Sequence, residues 1–174
     1  SGSASSRQGS VNLGVIGAGL FGKALLLPAL QKLKGVNLHT LATSSGANVE
    51  HSGRKFGFLN QTTDTEQVWN TPDIQAVIGL TPHSHHASLV RSALQNQKPL
   101  FLEKPLCTTE EEFSELRTLA EKSESLPILM VGHNRRFSPH TKKMLTWLKS
   151  RNTPLVVQMR VNCGFVPATH WVHS

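Results

Sequence analysis

A predicted strand, a glycine-rich turn and a predicted helix follow one another near the start of the chain. An apolar run at residues 11–16 leads into a G-x-G-x-x-G motif with Gly17, Gly19 and Gly22, and a helical pattern covers residues 21–33. Such a turn cradles a pyrophosphate: the first glycine permits the turn, the second leaves room for phosphates, and the third lets helix and strand pack closely. The N-terminus of the following helix offers free N–H donors and a partial positive charge, which favour binding of an anion. A purely structural turn is the alternative, but the flanking elements favour dinucleotide binding.

Apolar runs that predict strands alternate with amphipathic stretches that predict helices. Because the early apolar runs are nearly continuous, we expect their strands to be covered on both faces, as in a parallel sheet. The predicted fold class is therefore α/β, with a Rossmann-type doubly wound parallel sheet. The predicted strands cover residues 11–16, 36–42, 74–80, 99–102 and 128–131. Three of the predicted helices cover residues 21–33, 47–56 and 85–96, and a short one around Trp69 is capped by Asp64. Two more helices are predicted from their start signals, one after the Thr109/Glu112 capping box and one after Ser138-Pro139.

The hydrophobic pattern changes near residue 150. Between residues 154 and 164 apolar and polar residues alternate, which predicts a strand buried on one face. One strand cannot bury its apolar face alone, so we expect the first strand of a second, mostly antiparallel α+β domain. The predicted organisation is a disordered tail or expression remnant at residues 1–10, a dinucleotide-binding domain at 11–150, and the start of a truncated substrate or oligomerisation domain at 151–174.

Composition and charge limit the kinds of partner. The 174 residues carry a formal net charge of +7, but the one tight basic cluster is Arg135-Arg136 with Lys142-Lys143 nearby, and tyrosine is absent. Few aromatic residues argue against a nucleic-acid stacking surface, whereas the charge also fits an anionic cofactor or substrate. No apolar stretch approaches the roughly 20 residues of a membrane span, and the start does not resemble a signal peptide. We therefore expect no nucleic-acid or membrane partner, and, because the two cysteines have no disulfide-framework spacing, a cytoplasmic setting.

Polar residues gather where the predicted parallel strands end, which is where open α/β sheets bind ligands. The run Glu103-Lys104-Pro105 directly follows the predicted strand at 99–102. Because proline holds the preceding residue in an extended conformation, Lys104 is expected at the sheet edge. Its ammonium group can polarise an oxygen there and share a proton with it. A lysine paired with Glu103 in a surface turn is the alternative, and the position after a dinucleotide cradle favours function.

Four motifs in combination resemble the glucose–fructose oxidoreductase/inositol dehydrogenase (Gfo/Idh/MocA) family. The resemblance begins near Val11 and continues to the end of the chain. The set is specific as a whole, although each motif alone is not. The motifs are residues 17–22, Thr81-Pro82-x-x-x-His86, Glu103-Lys104-Pro105, and Val131-Gly132-x-Asn134-Arg135-Arg136-Phe137-Ser138-Pro139.

This resemblance implies a two-domain, often homo-oligomeric, NAD(P)-dependent oxidoreductase that transfers hydride to or from a sugar, a cyclitol or a related hydroxy or keto compound. It implies Lys104 as the active-site lysine, and Asn134 and Arg135 at the mouth of the substrate pocket. The predicted cofactor contacts are Gly17, Gly19, Leu20, Phe21, Gly22, Thr43, Ser44, Thr81, Pro82, His83, His86, Glu103 and Lys104.

The chain departs from the family pattern at two points. The family usually has asparagine where this chain has His83, and its catalytic histidine motif falls downstream of residue 174; His170 and His173 precede that position. The chain alone is therefore expected to bind a dinucleotide without turning over a substrate. A non-catalytic dinucleotide-binding or regulatory module is the alternative function.

The end of the second predicted strand bears on the choice of dinucleotide. NAD-binding folds commonly place a carboxylate there, on the ribose hydroxyls, but this strand ends at Ala42-Thr43-Ser44-Ser45. Hydroxyl groups tolerate the 2′-phosphate of NADP(H), which a carboxylate would repel. Arg54, on the next predicted helix, is a candidate cation to contact this phosphate. The sequence therefore favours NADP(H) over NAD(H).

A dense group of histidines, His83, His85 and His86, stands at a predicted helix start. Imidazoles bind zinc, but no nearby cysteine or carboxylate completes a ligand set, and Cys107 and Cys163 have no metal or disulfide spacing. We expect no metal. His86 is interpreted as facing a cofactor loop, while His83 and His85 fit either that loop or a solvated surface.

Overall fold

A computed structural model of the chain describes residues 9–162 and 164–167. Its centre is a six-stranded, all-parallel sheet in the order β3-β2-β1-β4-β5-β6. The order reverses direction between β1 and β4, which confirms the predicted doubly wound α/β sheet. The strands are β1 Val11–Ile16, β2 Val36–Ala42, β3 Asn60–Thr62, β4 Ala76–Gly79, β5 Leu100–Leu102 and β6 Leu129–Val131.

The predicted helices are confirmed with small shifts at their ends. The helix expected over residues 21–33 differs most: a π-type turn at Gly22–Leu26 precedes a short α-helix that ends at Gln31. Pro28 has no N–H to donate to the preceding turn, which accounts for the irregularity. The α-helices are α1 Leu27–Gln31, α2 Gly46–Phe56, α3 Glu66–Asn70, α4 His86–Gln95, α5 Glu110–Lys122 and α6 Pro139–Leu148, with 3₁₀ turns at His83–His85 and Asn134–Phe137.

The residues that the sequence singled out as caps lie at the helix starts, and the clearest case is α5. Thr109 Oγ1 accepts from the N–H of Glu112, and a carboxylate oxygen of Glu112 accepts from the N–H of Thr109, which completes the capping box of α5. In α3 the N-cap position belongs to Thr65 rather than to the expected Asp64, but Asp64 Oδ1 still accepts from the N–H of Glu66 at 2.9 Å. Among the described residues, no helix has the length and apolar character needed to cross a membrane.

Two apolar clusters cover the two faces of the sheet. Val15 is fully buried in one cluster with Leu27 and Leu41, whereas the next residue, Ile16, packs in the other cluster with Trp69. Successive side chains of a strand point to opposite faces. Both faces of β1 are therefore buried over its second half, as its nearly continuous apolar run predicts.

The strand register aligns the carboxyl ends of the central strands. Ile16 at the end of β1 lies beside Ala42 of β2 and Gly79 of β4, and Gly79 lies beside Leu102 of β5. The segments that follow these strands are thereby brought to one edge of the sheet, on both sides of the point where the strand order reverses.

The chain divides into two compact units, at Asn134 and Arg135. In the second unit α6 begins as predicted: Ser138 Oγ accepts from the N–H of Thr141 at 3.2 Å and Pro139 occupies the first turn. No strand occurs among residues 151–162 and 164–167. A strand needs a neighbour for its hydrogen bonds, so the second-domain strand at 154–164 and the boundary near residue 150 stay predictions. His170, His173 and most of the predicted 1–10 tail lie outside the described residues.

Candidate functional site

A cavity of about 790 Å³ lies at the carboxyl ends of the strands, within the usual range for small-molecule sites. It brings together every predicted cofactor contact except His86, and it also includes Asn134. The predicted residues that line it are Gly17, Gly19, Leu20, Phe21, Gly22, Thr43, Ser44, Thr81, Pro82, His83, Glu103, Lys104 and Asn134. Arg135 begins the second unit, so its role at a substrate pocket stays a prediction.

The cavity has two ends on either side of the glycine turn. The β2–β3 end is lined by Thr43, Ser44, Asn48, Thr63 and Thr65, and the β4–β5 end by Thr81, Pro82, His83, Glu103 and Lys104. Sequence reasoning missed Thr63 and Thr65 because they follow β3, a three-residue polar strand without an apolar run. It also missed Asn48, on the first turn of α2, for which the sequence carries no signal.

The three glycines of the motif have distinct environments. Gly17 has a φ of 93°, and a Cβ there would lie 2.5 Å from the carbonyl oxygen of Leu80. A Cβ on Gly22 would lie 2.9 Å from Leu80 Cδ1. Gly17 therefore needs glycine for the approach of the backbone after β4, whereas a side chain at Gly22 would have to displace the end of the Leu80 side chain. A Cβ on Gly19 would meet no atom within 4 Å, so packing within the protein does not require glycine there.

The open space at Gly19 is part of the cavity, which is where a dinucleotide cradle leaves room for phosphates. A second observation also points to a ligand. Thr81 Oγ1 is buried and has no hydrogen-bond partner in the described structure, although buried hydroxyls are normally paired. The residues present therefore fit a bound dinucleotide.

His86 is fully buried behind the cavity wall. Its Nδ1 lies 2.5 Å from the carbonyl oxygen of Pro105, and its Nε2 lies 3.1 Å from the carbonyl oxygen of Thr81. A neutral imidazole donates to one carbonyl, and an imidazolium donates to both. His86 therefore ties the segment after β4 to the turn after β5, and we expect it to position these segments rather than to touch a ligand.

Replacing His86 with alanine should lower the free energy of unfolding by about 3 kcal/mol, because it removes buried hydrogen bonds and leaves a cavity. Urea denaturation followed by circular dichroism measures this loss. The matched control is His85→Ala, since His85 is exposed and should change the free energy by less than about 0.5 kcal/mol. Equal losses in the two variants would show that His86 has no special role.

Lys104 is exposed and lines the β4–β5 end of the cavity. The ion pairs of the described residues do not include Lys104 or Glu103, so the alternative of a Glu103–Lys104 surface pair is not what the structure shows. The Glu103 carboxylate packs instead against Gly132, where a Cβ would lie 2.9 Å from Glu103 Oε1. The Lys104 ammonium is thus available to an oxygen inside the cavity.

His83 faces the same end of the cavity. Partial burial lowers its pKa, and the nearby His86 and Lys104 lower it further, while the Glu103 carboxylate acts in the opposite direction. The neutral imidazole is therefore favoured beside Lys104. The described residues contain no group of three or more histidine, cysteine, aspartate or glutamate side chains that could hold a metal ion.

Cys107, just after the Glu103-Lys104-Pro105 turn, is half-buried and packs against the apolar cluster that contains Trp69. Burial raises the pKa of its thiol, and the carboxylates of Glu112 and Glu110 raise it further. A raised pKa disfavours the thiolate, which is the nucleophilic form. Cys107 is therefore a packing residue.

Comparisons with known proteins agree with the cavity. The model of an oxidoreductase family with an NAD-binding Rossmann fold matches residues 11–133. An NAD(+)-dependent scyllo-inositol 2-dehydrogenase of Bacillus subtilis is 32% identical over 74% of this chain and 37% of its own length. An NADP(+)-dependent scyllo-inositol 2-dehydrogenase of the same organism is 30% identical over 74% of this chain and 34% of its own length.

A solved levoglucosan dehydrogenase, in complex with NADH and levoglucosan, superposes with a TM-score of 0.67 at 29% identity, over 80% of this chain and 40% of that protein. The chain thus spans less than half the length of these relatives. Because the family model covers most of the chain, from residue 11 to 133, the chain belongs to the oxidoreductase family with an NAD-binding Rossmann fold, the Gfo/Idh/MocA family.

Proposed function

We propose that this chain is the cofactor-binding portion of an NAD(P)-dependent dehydrogenase that acts on CH–OH groups of a sugar or cyclitol. One observation carries the proposal: the open space at Gly19 and the exposed Lys104 belong to the same cavity. The named activities of relatives, which include scyllo-inositol and levoglucosan dehydrogenases, support the substrate class. Homo-oligomer formation, implied by the family, is part of the proposal.

Residues at different positions along the cavity would have different roles. The turn at Gly17, Gly19 and Gly22 would hold the pyrophosphate, with N–H groups of the helix start as donors. Thr81 Oγ1, unpaired in the described structure, would donate to the bound dinucleotide. When bound, the nicotinamide supplies or accepts the hydride. Lys104 would donate a hydrogen bond to the substrate oxygen and move its proton, and Asn134 would contact the substrate.

We further propose that NADP(H) is preferred over NAD(H). The β2–β3 end of the cavity carries hydroxyl groups of Thr43 and Ser44 and no carboxylate among its described lining residues. Arg54, the cation suggested by the sequence, is paired with Glu50 at 2.6 Å on the exposed face of α2. The preference is thus supported by the missing carboxylate rather than by Arg54.

Titration of the chain with NADPH and with NADH, followed by tryptophan fluorescence, tests both proposals. We expect both dinucleotides to bind and the Kd for NADPH to be lower by about tenfold, which corresponds to roughly 1.4 kcal/mol. A preference for NADH would contradict the cofactor preference alone. Failure of both dinucleotides to bind a folded chain would contradict the proposed function.

A further inference from the structure

Lys23 stands beside the β2–β3 end of the cavity. It follows Gly22 of the glycine motif, and its Nζ donates to Asn48 Oδ1 at 2.5 Å. Asn48 is on the first turn of α2 and lines the cavity. The same Oδ1 accepts from Ser52 Oγ at 3.1 Å, which leaves the two N–H groups of the Asn48 amide as donors. One ammonium and one amide are thus held together at this end.

Among the described residues, no carboxylate forms an ion pair with the Lys23 ammonium. Asp64 is the nearest acid in sequence to Thr63 and Thr65, but it does not line the cavity and its carboxylate accepts from the N–H of Glu66. Glu103, the carboxylate in the described cavity lining, follows β5 at the opposite end.

The other groups at this end are hydroxyls. Thr43 Oγ1 donates to the carbonyl of Ser45, and Ser44, Thr63 and Thr65 complete the lining. Lys23 is not part of the cavity lining itself, but its bond to Asn48 holds its ammonium next to this neutral, hydroxyl-rich end. An anion held there gains a charge-assisted hydrogen bond without repulsion from a carboxylate in the lining.

We propose that Lys23 and Asn48 form the subsite for the 2′-phosphate of NADP(H), with Lys23 as the residue that determines dinucleotide preference. The inference rests on the proposed function, because the glycine turn must first hold the pyrophosphate. With the pyrophosphate at the turn after β1, the ribose of the adenosine lies toward the end of β2, where Asn48 and Ser44 line the cavity. Lys23 Nζ then donates to the phosphate, with Asn48 as the neighbouring donor.

Lys23→Met tests the subsite because it removes the charge and keeps a long unbranched side chain. Loss of one charge-assisted hydrogen bond should raise the Kd for NADPH about 30-fold, and the Kd for NADH should change by less than about twofold. Of two smaller probes, 2′-AMP should bind more weakly to the Lys23→Met variant, whereas the affinity for 5′-AMP, which lacks a 2′-phosphate, should stay nearly the same. Fluorescence titration gives the constants, and circular dichroism confirms the fold of each variant.

Two further variants make the test specific. Arg54→Met is the matched control, since Arg54 is already paired with Glu50, and its NADPH affinity should stay within about twofold of the original. Lys23→Arg keeps a cation at the site and should retain a preference for NADPH. A selective NADPH loss in Arg54→Met, or an equal loss of both dinucleotides in Lys23→Met, would overturn the subsite.

The outcomes also separate this inference from the proposal beneath it. A chain that binds both dinucleotides, with no change in the NADPH preference of Lys23→Met, overturns the subsite and leaves the dehydrogenase proposal intact. A chain that binds neither NADPH nor NADH overturns both.

Discussion

Replacing Gly19 with valine should abolish dinucleotide binding in a chain that still folds. A Cβ at Gly19 meets no protein atom within 4 Å, so the branched side chain extends into the cavity at low cost to packing. It would occupy the space where the phosphates approach the turn. Two lost hydrogen bonds to a charged group amount to about 4 kcal/mol, or roughly 1,000-fold in Kd. Fluorescence titration with NADPH and NADH measures the loss.

The matched control for this variant is Gly46→Val. A Cβ at Gly46 also meets no atom within 4 Å, and Gly46, the first residue of α2, does not line the cavity. Both variants should unfold in urea within about 1 kcal/mol of the original chain, since neither fills occupied space. Retained dinucleotide affinity in a folded Gly19→Val chain would show that the ligand does not approach the glycine turn.

The two ends of the cavity differ in how far the sequence predicts them. Strands β1 and β4 carry nearly continuous apolar runs, and β2 has regularly placed apolar residues between polar ones. The ends of these three strands, and with them Gly17, Thr43 and Thr81, therefore follow from patterning. Strand β3 is Asn60-Gln61-Thr62, and a polar three-residue edge strand has no hydrophobic period to detect. The lining residues Thr63 and Thr65 depend on its pairing with β2, which is a tertiary contact.

Side-chain partners across the fold are a second limit of sequence reasoning. The motif places His86 near a cofactor loop, but its two carbonyl partners are 5 and 19 residues away in the chain. Lys23 and Asn48 are 25 residues apart, and Arg54 is occupied by an ion pair with Glu50 one helical turn away. These tertiary contacts determine which cation is available to bind a ligand at a site. A sequence motif specifies only the strand end at which the site lies.

Substitution of Lys104 distinguishes the two functions that the sequence left open, a dehydrogenase and a non-catalytic dinucleotide-binding module. In an active dehydrogenase that contains this chain, Lys104→Ala should lower kcat about 1,000-fold, the effect typical of losing a positioned proton-transfer group. A non-catalytic dinucleotide-binding module predicts no comparable dependence on Lys104. Steady-state rates of NAD(P)+ reduction with scyllo-inositol and with levoglucosan, substrates named for relatives of this chain, provide the measurement.

A second substitution separates the charge of Lys104 from its proton. Lys104→Arg keeps a cation but cannot share a proton, because a guanidinium stays protonated. If Lys104 moves the substrate proton, the arginine variant should be nearly as slow as the alanine variant, while both retain NADPH affinity within about threefold, since the glycine turn contributes most of the binding. Full activity of Lys104→Arg would show that charge alone is needed, and full activity of Lys104→Ala would exclude a catalytic role for this lysine.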